Sequence, residues 1–88
     1  MSEGTSSGAW EIGEKYFVRC VTYHYLGKLE RIDGRELVLS SASWVADSGR
    51  WGDALASGKL SEVEPYPGSV IINRSAIVDA SVWSHDLP

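Results

Sequence analysis

Cysteine is nearly absent from this 88-residue sequence, with Cys20 alone. One cysteine excludes an intramolecular disulfide framework and a Cys-rich zinc site, and it suits a reducing compartment such as the cytoplasm. Basic residues are also scarce. Eight Lys and Arg stand against twelve Asp and Glu, and the net charge of −4 argues against a general electrostatic affinity for nucleic acid or anionic lipid. No stretch approaches the roughly 20 apolar residues of a membrane span. The opening Met-Ser-Glu-Gly-Thr-Ser-Ser-Gly has neither the basic nor the apolar region of a secretory signal. Two histidines, His24 and His85, are too few for a metal site that needs three or four converging ligands. A Gly-rich phosphate loop, Gly-x-Ser-x-Gly and His-Glu-x-x-His are all missing, so no enzyme class and no cofactor is implied.

What is present is the composition of one small globular domain, 43% hydrophobic and 23% charged with nine Gly and three Pro. A chain of this size buries roughly 60–65% of its unfolded surface, which leaves a few kcal/mol of stability and makes homo-oligomerisation an expectation. Residues 1–9 carry almost nothing to bury and read as a disordered tail, leaving residues 10–88 as a single domain. Tyr16 to Leu26 is dense in aromatic and β-branched residues without Gly or Pro, and it predicts one long strand. Alternation puts Phe17, Arg19, Val21, Tyr23 and Tyr25 on one face. Tyr16, Val18, Cys20, Thr22, His24 and Leu26 fall on the other, which is the expected core. Gly27 then fits a sharp bend, and Asp33-Gly34 between two strand-like runs fits a two-residue hairpin.

Residues 42–68 form an insertion. In it Trp51, Ala54 and Leu55 stand at helical spacing, Asp47 or Ser48 is placed to cap, and Gly58 to terminate. A short helix of about two turns is expected there. Pro65-Tyr66-Pro67-Gly68 reads as a rigid loop, Val70–Ile72 as a buried strand, Asn73-Arg74-Ser75 as a tight turn and Ala76–Trp83 as a last strand. Five short strands and one small inserted helix predict a mainly all-β fold, a strongly bent five-stranded barrel of SH3 or Sm type.

Phe17 to Ser41, with its bend at Gly27 and turn at Asp33-Gly34, resembles the three-strand first half of the Sm-like (Hfq and LSm) pattern. Val70 to Val82 resembles the second half. The usual N-terminal helix has no counterpart in residues 1–9, and residues 42–68 far exceed a short hairpin, so the family's RNA-binding residues do not carry across. Thr22-Tyr-His-Tyr-Leu-Gly27, Ala42-Ser-Trp-Val-Ala-Asp-Ser-Gly-Arg50, Glu62-Val-Glu-Pro65 and Trp83-Ser-His-Asp-Leu-Pro88 also resemble small bacteriophage and prophage proteins. That resemblance brings no activity with it.

Four constellations bear on chemistry. Cys20 and His24, on one strand, would stand about 13 Å apart, too far for a nucleophile pair, and Cys20 reads as a small buried residue. Glu62 and Glu64, two apart, would share a strand face at about 7 Å and read as a solvated edge. Trp10, Tyr23, Tyr25, Trp44, Trp51, Tyr66 and Trp83 exceed what so small a core encloses, because each ring buries roughly 150–250 Å². Some therefore face an interface or a ligand. Beside them, His24, Asp47, Ser48, Arg50, Asn73 and Arg74 offer polar partners. Trp44 and Arg50 flanking Asp47-Ser48 suggest a clamp for a stacked ring bearing phosphate or carboxylate. Equally, Trp44 and Trp51 pin the helix to the barrel while Arg50 pairs with an acid.

The expectation is a non-enzymatic, phage-type binding protein that self-associates and sequesters a small anionic or nucleotide-like ligand. The expected ligand-binding residues are Tyr23, His24, Tyr25, Trp44, Asp47, Ser48, Arg50, Trp51, Asn73 and Arg74. A structural protein using the same aromatics as protein contacts is the alternative. RNA binding in the Sm manner is disfavoured because no basic cluster exists.

Overall fold

The computed structural model describes residues 6, 7, 9–21 and 23–88. Most of the expected tail, residues 1–5 and 8, lies outside them. Ser6–Ser7 (β1) pair antiparallel with Trp10–Glu11 (β2) in a two-stranded ribbon. The main sheet is antiparallel and built from Lys15–Cys20 (β3), His24–Asp33 (β4), Glu36–Asp47 (β5), Glu62–Pro65 (β6), Val70–Asn73 (β7) and Ile77–Val82 (β8). Its order is β6-β5-β4-β3-β8, with β7 also paired to β5. The hydrogen-bonded path is open, and β7 and β8 are joined by a 3-10 turn at Arg74–Ala76 rather than by a ladder. No helix among the described residues is long and apolar enough to cross a membrane.

The single strand expected over Tyr16 to Leu26 is instead a hairpin. β3 stops at Cys20, β4 starts at His24, and Cys20 N–H donates to Tyr23 C=O at 3.0 Å to close the turn. No Gly, Pro, Asn or Asp marks the turn, and Val21 at its tip is 82% exposed. Strand propensity was therefore overridden by pairing, since β3 and β4 satisfy each other's backbone groups from Lys15↔Lys28 to Arg19↔His24. The division into faces changes accordingly. Tyr16, Val18 and Cys20 do enter one core, but Phe17, on the face expected to be outside, is fully buried in another.

Both faces of β3 are buried because two separate hydrophobic clusters flank it. The first joins Tyr16, Val18 and Cys20 to Leu29, Leu37, Leu39, Ala42 and Ile72. The second joins Phe17 to Leu26, Val45 and Trp83, and is covered by a helix at Trp51–Ser57 (α1) through Trp51 and Leu55. Trp83 is 1% exposed, so it belongs to this core and not to an interface. The irregular segment that follows it helps close the cluster through Leu87. Trp83 Nε1 donates to Asp86 C=O at 3.2 Å, and His85 Nε2 lies 2.8 Å from Leu55 C=O.

The Asp33-Gly34 hairpin is present between β4 and β5. α1 ends as expected at Gly58, in the left-handed conformation (φ 77), with its N–H donating to Ala54 C=O. A Cβ there would fall 2.6 Å from the His85 ring, so glycine also admits the following segment. The helix start differs from expectation. Its N-cap is Arg50, with no side-chain capping bond, while Asp47 Oδ1 accepts from Gly49 N–H at 2.8 Å. Asp47 thereby stabilises the turn before the helix and leaves the cap unfilled.

The bend expected at Gly27 is a bulge. Leu26 pairs with Ser43 and Lys28 with Ser40, so β5 carries one extra residue opposite Gly27, and Ser41 adopts a positive φ of 48. A Cβ on Gly27 would stand 3.0 Å from Leu39 Cβ, 3.1 Å from Ser40 O and 3.2 Å from Ala42 Cα. Two of these are backbone atoms that cannot swing away. Gly27→Ala is expected to destabilise by about 1–3 kcal/mol, roughly 4–8 °C in Tm per kcal/mol, by overpacking the bulge. Thermal melting by circular dichroism checks this, and an unchanged Tm would show that the ribbon relaxes freely here.

Candidate aromatic cleft

The pairing of β4, β5 and β6 creates a row of side chains. Tyr25 lies directly opposite Trp44, and Trp44 directly opposite Glu64. Residues opposite each other in a ladder share a face, and neighbouring strands lie about 4.8 Å apart, so these three stand side by side. Their strand neighbours Leu26, Val45 and Val63 turn to the second core on the opposite face. Tyr23, at the end of the β3–β4 turn, packs edge-on to Trp44 with ring centroids 5.3 Å apart. Tyr66, beyond β6, sits 6.3 Å from Tyr25 at an interplanar angle of 31°. Tyr66 N–H donates to Ala42 C=O at 2.8 Å, which ties the loop back onto β5. Pro65 and Pro67 on either side restrict its backbone further.

These four rings, the two prolines and Glu64 line an open cleft of about 410 Å³. That volume is within the range of small-molecule sites. Two further hollows adjoin it. One, of about 450 Å³, shares Trp44 and Glu64 and adds Glu62. The other shares Tyr23 and Tyr25 and runs past Val21 to Ile71, both largely exposed. Burial pushes the Tyr25 hydroxyl pKa up, and the neighbouring Tyr66 phenol adds to the shift, so the ring carries no charge near neutral pH.

The expected ligand-binding residues are thus divided among three places. Tyr23, Tyr25 and Trp44 come together in the cleft. His24, Asp47, Ser48, Arg50 and Trp51 lie elsewhere. His24 directs its ring toward Phe17, 5.9 Å away, and its buried Nδ1 has no hydrogen-bond partner. Trp51 packs edge-on to Phe17 at 4.5 Å, and the Arg19 guanidinium covers it at 4.3 Å. Trp51 therefore pins the helix, whereas Trp44 does not. Ser48 Oγ donates to Gly49 C=O, and Arg50 is exposed at the helix start, outside the cleft lining. Asn73 and Arg74 form the third place, although Asn73 also lines the hollow that adjoins the cleft through Tyr23 and Tyr25. Asn73 Oδ1 accepts from Ser75 N–H at 2.9 Å to cap the 3-10 turn, and half-buried Arg74 belongs to that turn.

Glu64 and Tyr66 were the residues missed as site members. Tyr66 was visible as a surplus aromatic and Glu64 as half of a carboxylate pair. What brings them to Trp44 is the return of β6 to β5, a non-local pairing with no local signature.

Cys20 and His24 are closer along the backbone than a continuous strand would allow, because the turn folds one back beside the other. They do not share a face as the continuous strand implied: Cys20 is buried in the first core, whereas His24 lies beside Phe17 of the second. Burial raises the Cys20 thiol pKa. Among the described residues no three His, Cys, Asp or Glu side chains converge on a metal site. No family model and no curated protein matches the chain.

Two outcomes follow from this geometry. Native Cys20 is expected to react slowly with iodoacetamide, and Cys20→Ala to keep the fold with a modest stability loss; rapid stoichiometric labelling would contradict it. The second concerns Asp79, which Arg19 holds in a bidentate pair, with Nε donating to Oδ1 at 2.7 Å. That hydrogen bond lowers the Asp79 carboxyl pKa below its ordinary 3.8. Its folded value being depressed, the pair's stabilisation is present above the unfolded pKa and is lost as pH falls through the folded one. Carboxyl NMR titration should find the Asp79 midpoint below 3.8, and Arg19→Gln should return it toward that value.

Proposed function

We propose that this chain is a non-enzymatic binding protein that takes a small ligand into the cleft of Tyr23, Tyr25, Trp44 and Tyr66, holding it against the ring faces. The observation that carries the reading is the concentration of four aromatic rings in one open cleft while a separate set, Phe17, Trp51 and Trp83, fills the core. Stacking on such rings is tolerant of ligand identity and contributes about 1–3 kcal/mol per ring. The Tyr66 loop, tethered to Ala42 and bracketed by prolines, is ordered before any ligand arrives, which reduces the entropy cost of binding.

Bending of the sheet into a small SH3- or Sm-like barrel is part of this proposal. Paired neighbours run β3–β4–β5–β7, and from β7 the chain crosses the 3-10 turn and returns as β8 to the far edge of β3, so covalent connection completes a circuit that hydrogen bonds leave open. Self-association is likewise proposed, supported by the exposed Val21, Ile71, Val78 and Val82. A reducing, cytoplasmic setting fits the single free thiol. A phosphate-bearing ligand needs a cation that the cleft lining does not supply, Arg50 being elsewhere.

Titration of a panel of neutral ring compounds, followed by the Trp44 indole and tyrosine ring resonances, tests the reading. Trp44→Ala should weaken binding by about 5- to 150-fold, the equivalent of 1–3 kcal/mol. Silence of the cleft resonances toward every compound, together with loss of self-association in Trp44→Ala, would replace the ligand site with a protein contact surface.

A further inference from the structure

The cleft is one-sided in charge. Glu64 lines it and stands directly opposite Trp44 in the ladder, and Glu62, two residues earlier on the same short strand, lines the adjoining hollow. Among the described residues, no Lys, Arg or His lines the cleft or either hollow that continues it. The aromatic rings reinforce this sign, because the face of a Trp or Tyr ring presents the negative part of its quadrupole. Glu64 is exposed, and no protein cation stands beside it in the lining.

Deepening the reading above, and resting on it, we infer that the cleft selects a planar organic cation of the amidinium or guanidinium class. Three features of such a group match the three features of the site. Its flat face stacks on Trp44 and the tyrosines, its delocalised charge is attracted by their ring faces, and its paired N–H donors match the two oxygens of Glu64. An anion of the same shape is repelled by the ring faces and by Glu64, and meets no cationic donor in the lining. The Tyr23, Tyr25 and Tyr66 hydroxyls remain as neutral partners at the margin.

Benzamidine, benzamide and benzoate share one shape and differ in charge, so they separate cation recognition from apolar uptake. Titrated into the intact protein and followed by the Trp44 indole resonance, benzamidine should bind at least tenfold more tightly than benzamide, and benzoate most weakly. Glu64→Gln should bring benzamidine to within a few-fold of benzamide. Since Glu64 is exposed, the variant is expected to keep the wild-type melting temperature, and that measurement accompanies the titration. Equal binding of benzamidine and benzamide would overturn the cation inference and leave the apolar cleft standing. Benzoate binding most tightly would overturn it in favour of an anionic ligand. Failure of all three to bind, with neutral ring compounds also silent, would remove both readings.

Discussion

The contact of Gly27 with Leu39, Ser40 and Ala42 is the constraint on which the rest of this small protein depends. β4 and β5 are its two longest strands, and they could lie flat against each other for their whole length only by exposing one apolar set. The bulge divides them. On one side Leu29, Leu37 and Leu39 enter the first core with Ile72 of β7; on the other Leu26 and Val45 enter the second with Phe17 and Trp83. β5 consequently has a different partner along each half of its outer edge, β7 for Glu36–Leu39 and β6 for Ser43–Asp47. The second of these pairings places Glu64 beside Trp44. The cleft is thus a product of the bend, although no cleft residue takes part in it.

Local chemistry explains which parts of this arrangement were legible in the sequence. The Asp33-Gly34 turn, the Gly27 bend, the Gly58 helix stop, and the strand–turn–strand of Val70 to Val82 each depend on residues within a few positions, and each is present, although the strand expected to be buried over Val70–Ile72 buries only Ile72 and leaves Ile71 exposed. The Val21–Tyr23 turn was not legible, because every residue around it favours a strand and only the pairing of β3 with β4 dictates the reversal. Phe17 was assigned to the solvent face for a related reason. Alternation identifies two faces but not whether a helix from a distant insertion will cover the second.

The site followed the same division. That the aromatics exceed one core is arithmetic, and Tyr23, Tyr25, Trp44 and Tyr66 line an open cleft. Sorting them is not, since Trp44 and Trp51 are close in sequence and end on different faces: one lines the cleft, and the other seals the helix against Phe17. Proximity in sequence joined Arg50 to Trp44, while strand register joins Glu64 to it instead. The change from a basic to an acidic neighbour reverses the charge beside the rings, so one non-local pairing sets the electrostatic character of the cleft.

The C-terminal segment has a consequence for the order of folding. α1 is seven residues long, too short to persist alone, and has no side-chain cap. Its contacts at Leu55 and Gly58 are with His85, and the core beneath it is completed by Trp83 and Leu87. During synthesis the helix therefore emerges after Phe17, on which Trp51 packs, but before the C-terminal residues that complete its contacts. Until they follow, Phe17 and Leu26 lack much of their cover, and the half of the sheet carrying the aromatic cleft has no finished reverse side. That reverse side is completed by side chains made after the helix that lies on it.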